Sequence, residues 1–362
     1  MSDIHLGHPR TPTAALIDQI DHAFFQDEAN QQLDILYLAG DIFHQLLTLS
    51  NDDVQRILLW VRKLIQYCTQ YDIILRVLEG TPSHDRTQSK LFDSVIQMLN
   101  AQLDYAYVST ISIEYIAALD IHVLYIPDQP SISPDAVLAT VDELLESRGL
   151  QQIDYAVMHG HFKHQLPEMV KHPAHDAEAY LRRVKYLIHI GHIHTSSRMD
   201  RIFAQGSVGR LAHGEEEPKG YFRQVVYADG AFESTFVENV RATKYVTIDL
   251  RHKSLEESLP IVDALPDQYP QDSHIRLKLN RDHPWASHFA EVQRRLPYYY
   301  WTKQLVDTKV DGQEKKRTVE IAEYAPLILN QDTLPHAIRE RIKRKATLSP
   351  EAWAMVESLL SA

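Results

Sequence analysis

The stretch Tyr186–His194 reads YLIHIGHIH, and the rest of the chain can be interpreted around it. Its first five residues form a β-favouring run, so we predict a buried strand that ends at Ile190. Gly191 would let the backbone turn sharply, which places His192 and His194 at the carboxyl end of that strand. Loops at strand ends are where α/β proteins build sites, and imidazole suits zinc, manganese or iron.

Earlier predicted strands end in the same kind of chemistry. These strand ends are Asp3-Ile4-His5, Gly40-Asp41 and Met158-His159-Gly160-His161. A further loop, Gly80–Asp85 (GTPSHD), adds His84 and Asp85. Because oxygen and nitrogen ligands arrive from several strand ends, the pattern indicates a two-metal hydrolytic centre rather than a core.

The composition is that of an ordinary globular protein, with 362 residues, 44% of them hydrophobic and 24% charged. The single cysteine, Cys68, excludes an intramolecular disulfide and fits a reducing compartment, where we expect it to pack as a small hydrophobe. No segment resembles a signal peptide or a membrane span, so we expect a cytoplasmic protein with no membrane partner.

The charge is unevenly distributed. A net charge of −12 argues against a protein that holds DNA by its overall field. Residues 276–345, however, carry 15 Lys and Arg against 9 Asp and Glu, and this basic region is compatible with nucleic acid. Arg294-Arg295 and Lys315–Arg317 fit contact with a DNA backbone and fit a solvated face equally well.

Strands and helices alternate up to the double-histidine loop, which predicts a layered α/β domain. The predicted segments include strands at Gln32–Ala39, Ile73–Leu78, Tyr105–Tyr115, Ile121–Ile126 and Ile153–Met158. Only Met1 and Ser2 precede Asp3, so we expect that the first strand is missing or that the true start lies upstream. Residues 201–238 are predicted to form antiparallel strands, with a hairpin turn at Ala228–Gly230.

A domain boundary is expected around Arg241–Thr243, followed by a small βαβαβ unit. Its predicted strands and helices are Tyr245–Leu250, Leu255–Ala264, Ile275–Leu279, Trp285–Leu296 and Tyr298–Leu305. We interpret the run Tyr298–Trp301 as sheet core and edge rather than as a base-stacking surface. Two further helices are predicted at Pro335–Lys345 and Pro350–Leu360.

Taken in order, these motifs resemble the calcineurin-like metallophosphoesterases. The segment Gly206–Gly220 (GSVGRLAHGEEEPKG) looks like the conserved segment of SbcD-type double-strand-break repair nucleases, bacterial or phage. The resemblance covers residues 3–240 by motif and 241–320 by layout alone. It implies a four-layer α/β/β/α sandwich over residues 1–240, a smaller α+β capping and DNA-binding domain over 241–325, and a helix–loop–helix over 326–362.

The resemblance also implies a function. The expected activity is that of a two-metal DNA nuclease, both exonuclease and single-strand endonuclease, that hydrolyses phosphodiester bonds with metal-activated hydroxide in DNA repair and recombination. The expected partners are DNA, a second copy of the chain in a homodimer, and an SbcC-type coiled-coil ATPase that would bind the C-terminal helices. Two Mn²⁺ ions are the expected cofactors, with Mg²⁺, iron or Zn²⁺ as alternatives.

The resemblance implies a specific role for each candidate site residue of this chain. One metal would be held by Asp3, His5 and His194, the other by His159 and His192, and Asp41 would bridge the two. His84 would stabilise charge on the phosphate or protonate the departing oxygen, with Asp85 orienting its imidazole.

The chain departs from the family pattern at the usual Gly-Asn-His-Asp, whose asparagine is a metal ligand. Here the loop is two residues longer and Ser83 precedes the histidine. A hydroxyl is a poorer ligand than an amide oxygen, so the second metal would be held more loosely or completed by water, and whether Ser83 or Thr81 replaces the asparagine stays open. His159 is favoured over His161 because it directly ends its strand. Histidines that match no motif, among them His8 and His44, are expected to be surface or hydrogen-bonded residues.

Two other functions remain open at this point. The same core could serve a phosphodiesterase of nucleotides or other small molecules, against which the Gly206–Gly220 segment, the βαβαβ unit and the basic tail count. The chain could also be a non-catalytic structural subunit of a DNA-tethering complex. We expect the glutamates Glu215–Glu217 to form a turn with a packing role rather than a third metal site.

Overall fold

The computed structural model describes residues 1–48, 52–167 and 169–306, together with Trp353 and Val356. The chain forms two compact units, Met1–Asp307 and Thr308–Ala362. Apart from Trp353 and Val356, which are helical, the two predicted C-terminal helices and the basic run Lys315–Arg317 lie outside the described residues.

Helices and strands alternate in parts of the first unit. The helices are α1 (Thr13–Ile20), α2 (Asp53–Gln70), α3 (Leu91–Leu99), α4 (Pro134–Ser147), α5 (Ala177–Arg183), α6 (Leu255–Asp263), α7 (Leu265–Gln268), α8 (Pro284–Ser287) and α9 (Phe289–Arg295). The strands are β1 (Ile35–Ala39), β2 (Ile74–Leu78), β3 (Tyr105–Val108), β4 (Ser112–Ile116), β5 (Ile121–Ile126), β6 (Ile153–His159), β7 (Val184–Gly191), β8 (Ser197–Met199), β9 (Ile202–Ala204), β10 (Gly220–Val226), β11 (Phe232–Glu238), β12 (Tyr245–Asp249), β13 (His274–Asn280) and β14 (Tyr300–Val306). Strands β3 to β5 and β7 to β12 follow one another without an intervening α-helix.

The first sheet contains β1, β2 and β3, all parallel. The first residues of the chain run beside β1: the Ala39 amide donates to the Met1 carbonyl at 2.8 Å and the Asp3 amide to the Gly40 carbonyl at 3.0 Å. On its other side this segment forms a single parallel bridge from Ser2 to Ser207. These backbone contacts place Asp3 next to the end of β1.

The second sheet has six strands in the order β4-β5-β6-β7-β9-β8. Strands β5, β6, β7 and β9 are parallel, and β4 and β8 pair antiparallel at the two edges. The predicted segment Tyr105–Tyr115 is divided between the two sheets, because the chain leaves the first sheet after β3 and enters the second at β4. A single β-rich stretch gives no sign of such a crossing, since both halves are rich in β-favouring residues.

The two sheets face each other across an apolar layer. Ala39 and Leu78 from the first sheet pack in one cluster with Val123, Tyr125 and Val157 from the second. The alternate side chains of each strand point the other way, as the two-residue period of a strand requires. Those of the first sheet pack against α1, α2 and α3, and those of the second against α4 and α5. The protein thus has a mixed α/β fold in which these two facing sheets lie between helices.

The third sheet, β12-β13-β14, is parallel and has its own apolar core with α6 to α9. This is the βαβαβ arrangement predicted from the sequence, although the predicted helix Trp285–Leu296 is divided into α8 and α9 at His288. Within the predicted aromatic run, Tyr299 and Trp301 join the core, while Tyr300 is 47% exposed and stacks on His274. The domain boundary near residue 241 stays a prediction.

Two smaller expectations are confirmed. The hairpin turn falls at Ala228–Gly230, between the antiparallel strands β10 and β11. Cys68, on α2, is a free thiol that is buried in the core. Within the described part of the chain, no helix combines the length and apolar character that a membrane crossing requires.

Candidate metal centre

The predicted ligands meet where strands of the two facing sheets end. Asp41 follows β1 and Thr81 follows β2 in the first sheet, whereas His159 ends β6 and His192 follows β7 in the second. The N-terminal segment adds Asp3 and His5 beside the end of β1. Residues as far apart in sequence as Asp3 and His194 therefore share one site.

Asp3, His5 and His194 form the first of two ligand groups and have the spacing of a cation site. The Nε2 atoms of His5 and His194 are 3.2 Å apart. The Nε2 of His194 lies 3.9 Å from Oδ1 of Asp3. Asp3 is fully buried, and both of its oxygens accept a hydrogen bond from the His192 amide.

Asp41, His159 and His192 form the second group. Oδ2 of Asp41 lies 3.3 Å from Nε2 of His159 and also 3.9 Å from Nε2 of His5 in the first group. One carboxylate oxygen therefore faces both groups. This is the position that a bridging carboxylate requires, because it can contact two cations about 3.5–4 Å apart.

The hydroxyl of Thr81 lies inside the second group. Its Oγ1 is 3.1 Å from Oδ2 of Asp41, 3.3 Å from Nε2 of His159 and 3.4 Å from Nδ1 of His192. Ser83, by contrast, is exposed. Of the two hydroxyls considered for the missing asparagine ligand, the structure brings Thr81 to the site and leaves Ser83 outside it.

In three of the histidines, the ring nitrogen that points away from the centre, Nδ1, contacts another group of the protein. Nδ1 of His159 donates to the Ala39 carbonyl at 2.7 Å, and Nδ1 of His194 lies 3.0 Å from Glu215. Nδ1 of His5 lies 3.3 Å from Nδ1 of His44. A proton on Nδ1 leaves the Nε2 lone pair directed at the centre, which is the form of imidazole that binds a metal ion. The donor set therefore fits two divalent cations.

The charges at two of the histidines agree with this fit, whereas at His159 burial, which lowers the pKa of the ring, is outweighed by Asp41, which raises that pKa to about 10. Burial lowers the pKa of His5 well below its usual value, and burial with the nearby His159 lowers that of His192 to about 3, so both rings are neutral. Burial acts to raise the pKa of Asp41, but His159 and His5 lower it below its usual range. Burial raises the pKa of Asp3. A bound cation would offset the cost of burying these carboxylates.

Several of these residues have left-handed backbone conformations. The φ angle is 52° at Asp3, 55° at His5, 51° at Asp41 and 102° at His192. Such values are uncommon for residues with a Cβ and concentrate at functional sites. The sharp turn after β7 is thus made by His192. Gly191, predicted to make that turn, is still part of the strand and is required for space, because a Cβ there would collide with the Ala39 carbonyl oxygen.

His159 rather than His161 belongs to the ligand groups. The ring of His161 lies instead against that of His192, with centroids 5.5 Å apart and an interplanar angle of 22°. His161 therefore borders the second group from the side.

His84 borders the first group, and its ring centroid is 4.9 Å from that of His5. Nδ1 of His84 donates to the His44 carbonyl at 2.6 Å, which leaves Nε2 as the free nitrogen. The contact expected between His84 and Asp85 is replaced by contacts of Asp85 with backbone amides. The buried carboxylate of Asp85 accepts hydrogen bonds from the amides of Asp41, Phe43 and Gly80 at 2.9, 3.0 and 2.8 Å. Asp85 thus ties two strand-end loops together, and His44 orients His84.

Sequence reasoning missed three residues at the site. His44 was expected at the surface or in an ordinary hydrogen bond, yet with His5 and His84 it forms a third group of possible metal ligands. Glu215 was expected in a packing turn and instead contacts His194. Burial raises the pKa of Asp128, just after β5, and the charges of His159 and Asp41 also act on it. Its position after a strand was the one signal that could have identified Asp128.

Comparisons with known proteins assign no family. Neither a scan against protein-family models nor a search of curated proteins returned a match for this chain. What the structure itself defines is a mixed α/β protein with a candidate two-cation site.

Proposed function

We propose that the protein is a two-metal phosphodiesterase of the calcineurin-like type, and specifically a DNA nuclease similar to SbcD. One observation carries the proposal: Oδ2 of Asp41 faces Nε2 of His5 at 3.9 Å and Nε2 of His159 at 3.3 Å, and so links two separate ligand groups. A core built for stability has no need of two adjacent sets of buried carboxylates and imidazoles, because burying them is costly.

Asp3, His5, His194 and Asp41 would hold one divalent cation, and Asp41, His159, His192 and the Thr81 hydroxyl the other. When bound, such a pair generates a nucleophile from water at neutral pH and neutralises charge on the phosphate. His84 would contact the substrate through Nε2, since its Nδ1 is held by the His44 carbonyl. In its protonated form it could donate to the departing oxygen.

The architecture supports the family assignment. Two sheets packed face to face, with α1 to α3 against one and α4 and α5 against the other, agree with a four-layer α/β/β/α sandwich. The sheet of β12 to β14 would be the capping domain. The basic region at 276–345 and the expected C-terminal helices are the basis for DNA and an SbcC-type ATPase as partners.

The proposal can be tested with purified protein that has been stripped of metal and then titrated with Mn²⁺. We expect two ions per chain, and Mn²⁺-dependent cleavage of linear duplex DNA, single-stranded DNA and bis-p-nitrophenyl phosphate. Asp41→Asn should lose both ions and all three activities. Cleavage of the small ester without DNA would favour a small-molecule phosphodiesterase, and two bound ions without any cleavage would favour a structural subunit.

A further inference from the structure

Glu215 lies on the loop between β9 and β10, outside the two ligand groups, and contacts one of their members. Its Oε1 is 3.0 Å from Nδ1 of His194. Its other oxygen accepts from the Leu211 amide at 3.2 Å and lies 3.1 Å from Nζ of Lys219. Both carboxylate oxygens are therefore held, and Glu215 has little freedom to move away from the histidine.

Lys219 is the second part of this arrangement, and its side chain is fully buried. Its Nζ lies 3.1 Å from Glu215 and 2.7 Å from Glu217, and it donates to the backbone carbonyl of His194 at 2.9 Å. A buried ammonium is costly unless every proton finds an acceptor, and here there are three acceptors for three protons. Lys219 thus connects the Glu215 carboxylate to the backbone of the residue whose ring Glu215 holds.

The consequence is that His194 is fixed at both ends. Its carbonyl oxygen is bound by Lys219, and its Nδ1 proton is directed to Glu215. The Nε2 lone pair must then face His5, 3.2 Å away, and Asp3, 3.9 Å away. A carboxylate behind a histidine ligand raises its basicity and fixes its tautomer, and removal of such a group costs about 10–100-fold in metal affinity.

We propose that Glu215, held in place by Lys219, is the positioning residue of the first cation site and sets its affinity through His194. The inference rests on the proposed function, because it requires that Asp3, His5 and His194 bind a cation.

Glu217 supplies a matched control. It also pairs with Lys219, at 2.7 Å, and accepts from the Thr195 hydroxyl at 3.2 Å, so its hydrogen bonds are directed to these two residues rather than to the His194 ring. Glu215→Gln and Glu217→Gln therefore remove the same charge two residues apart and disturb the same lysine. Thermal unfolding of the metal-free variants shows whether both still fold.

The experiment is a Mn²⁺ titration of the full-length protein, read as free Mn²⁺ by electron paramagnetic resonance. For Glu215→Gln we expect one of the two sites to weaken by about 10-fold or more, and for Glu215→Ala by about 100-fold, because the glutamine oxygen can still accept from Nδ1. Glu217→Gln should leave both sites within about threefold of the wild type.

Equal weakening by Glu215→Gln and Glu217→Gln would overturn the proposal, as would unchanged affinity in Glu215→Gln. If Glu215→Ala does not fold, the isosteric variant Glu215→Gln still tests whether Glu215 sets the affinity of the first cation site. A wild-type protein that binds no Mn²⁺ would instead refute the proposed function, and the inference with it.

Discussion

Asp85 should stabilise the fold far more than it influences the His84 ring, and this can be measured without any metal. Its carboxylate is fully buried and accepts three backbone hydrogen bonds, from Asp41, Phe43 and Gly80. Each buried N–H left without an acceptor costs about 1–3 kcal/mol. Water that enters the space left by the side chain would recover part of this cost.

For Asp85→Ala we therefore expect a loss of about 3–5 kcal/mol in the free energy of unfolding, a large share of the total of a typical domain. Asp85→Asn should lose less, about 1–3 kcal/mol, because its amide oxygen retains part of the acceptor capacity. The measurement is urea unfolding of metal-free protein in EDTA, followed by far-ultraviolet circular dichroism.

His84→Ala is the matched control, since it removes the adjacent, partly exposed side chain and should change stability by less than about 1 kcal/mol. The reasoning would be refuted if Asp85→Ala and Asp85→Asn both unfolded within about 0.5 kcal/mol of the wild type. If both Asp85 variants also lost as much activity as His84→Ala, we would conclude that Asp85 orients His84.

Further predictions concern the ligands and the C-terminal segment. Thr81→Ala should weaken one Mn²⁺ site by about 10-fold in a binding titration, whereas Ser83→Ala should change neither site, and equal effects would show that Thr81 is no ligand. His84→Ala should lower turnover by about 10²–10⁴-fold with Mn²⁺ and DNA binding retained, and a parallel loss of binding would make it a structural residue. Deletion of residues 330–362 should abolish co-purification with an SbcC-type ATPase but spare Mn²⁺-dependent cleavage; loss of cleavage would place the segment in the protein's own core.

Several features of this protein follow from local sequence. A strand has a two-residue period and a helix a period of 3.6, so the alternation of buried runs and amphipathic segments is visible in any short window. This is why the βαβαβ unit and the hairpin at Ala228–Gly230 were predictable. The order of motifs at strand ends likewise singled out Asp3, His5, Asp41, His159, His192 and His194, which the structure brings together.

Tertiary structure decided which further side chains enter the site or contact these ligands. Nothing local distinguishes Thr81 from Ser83 as the hydroxyl that enters the site, because the path of the loop depends on the bonds of Asp85 to Gly80 in the same loop and to the loop after β1. The contacts of Glu215 with His194 and of His44 with His5 join segments that no periodicity relates. The sequence determines the chemistry of each side chain. The direction in which a loop points that side chain depends on packing between elements that are distant in sequence, and this packing exists only in the folded protein.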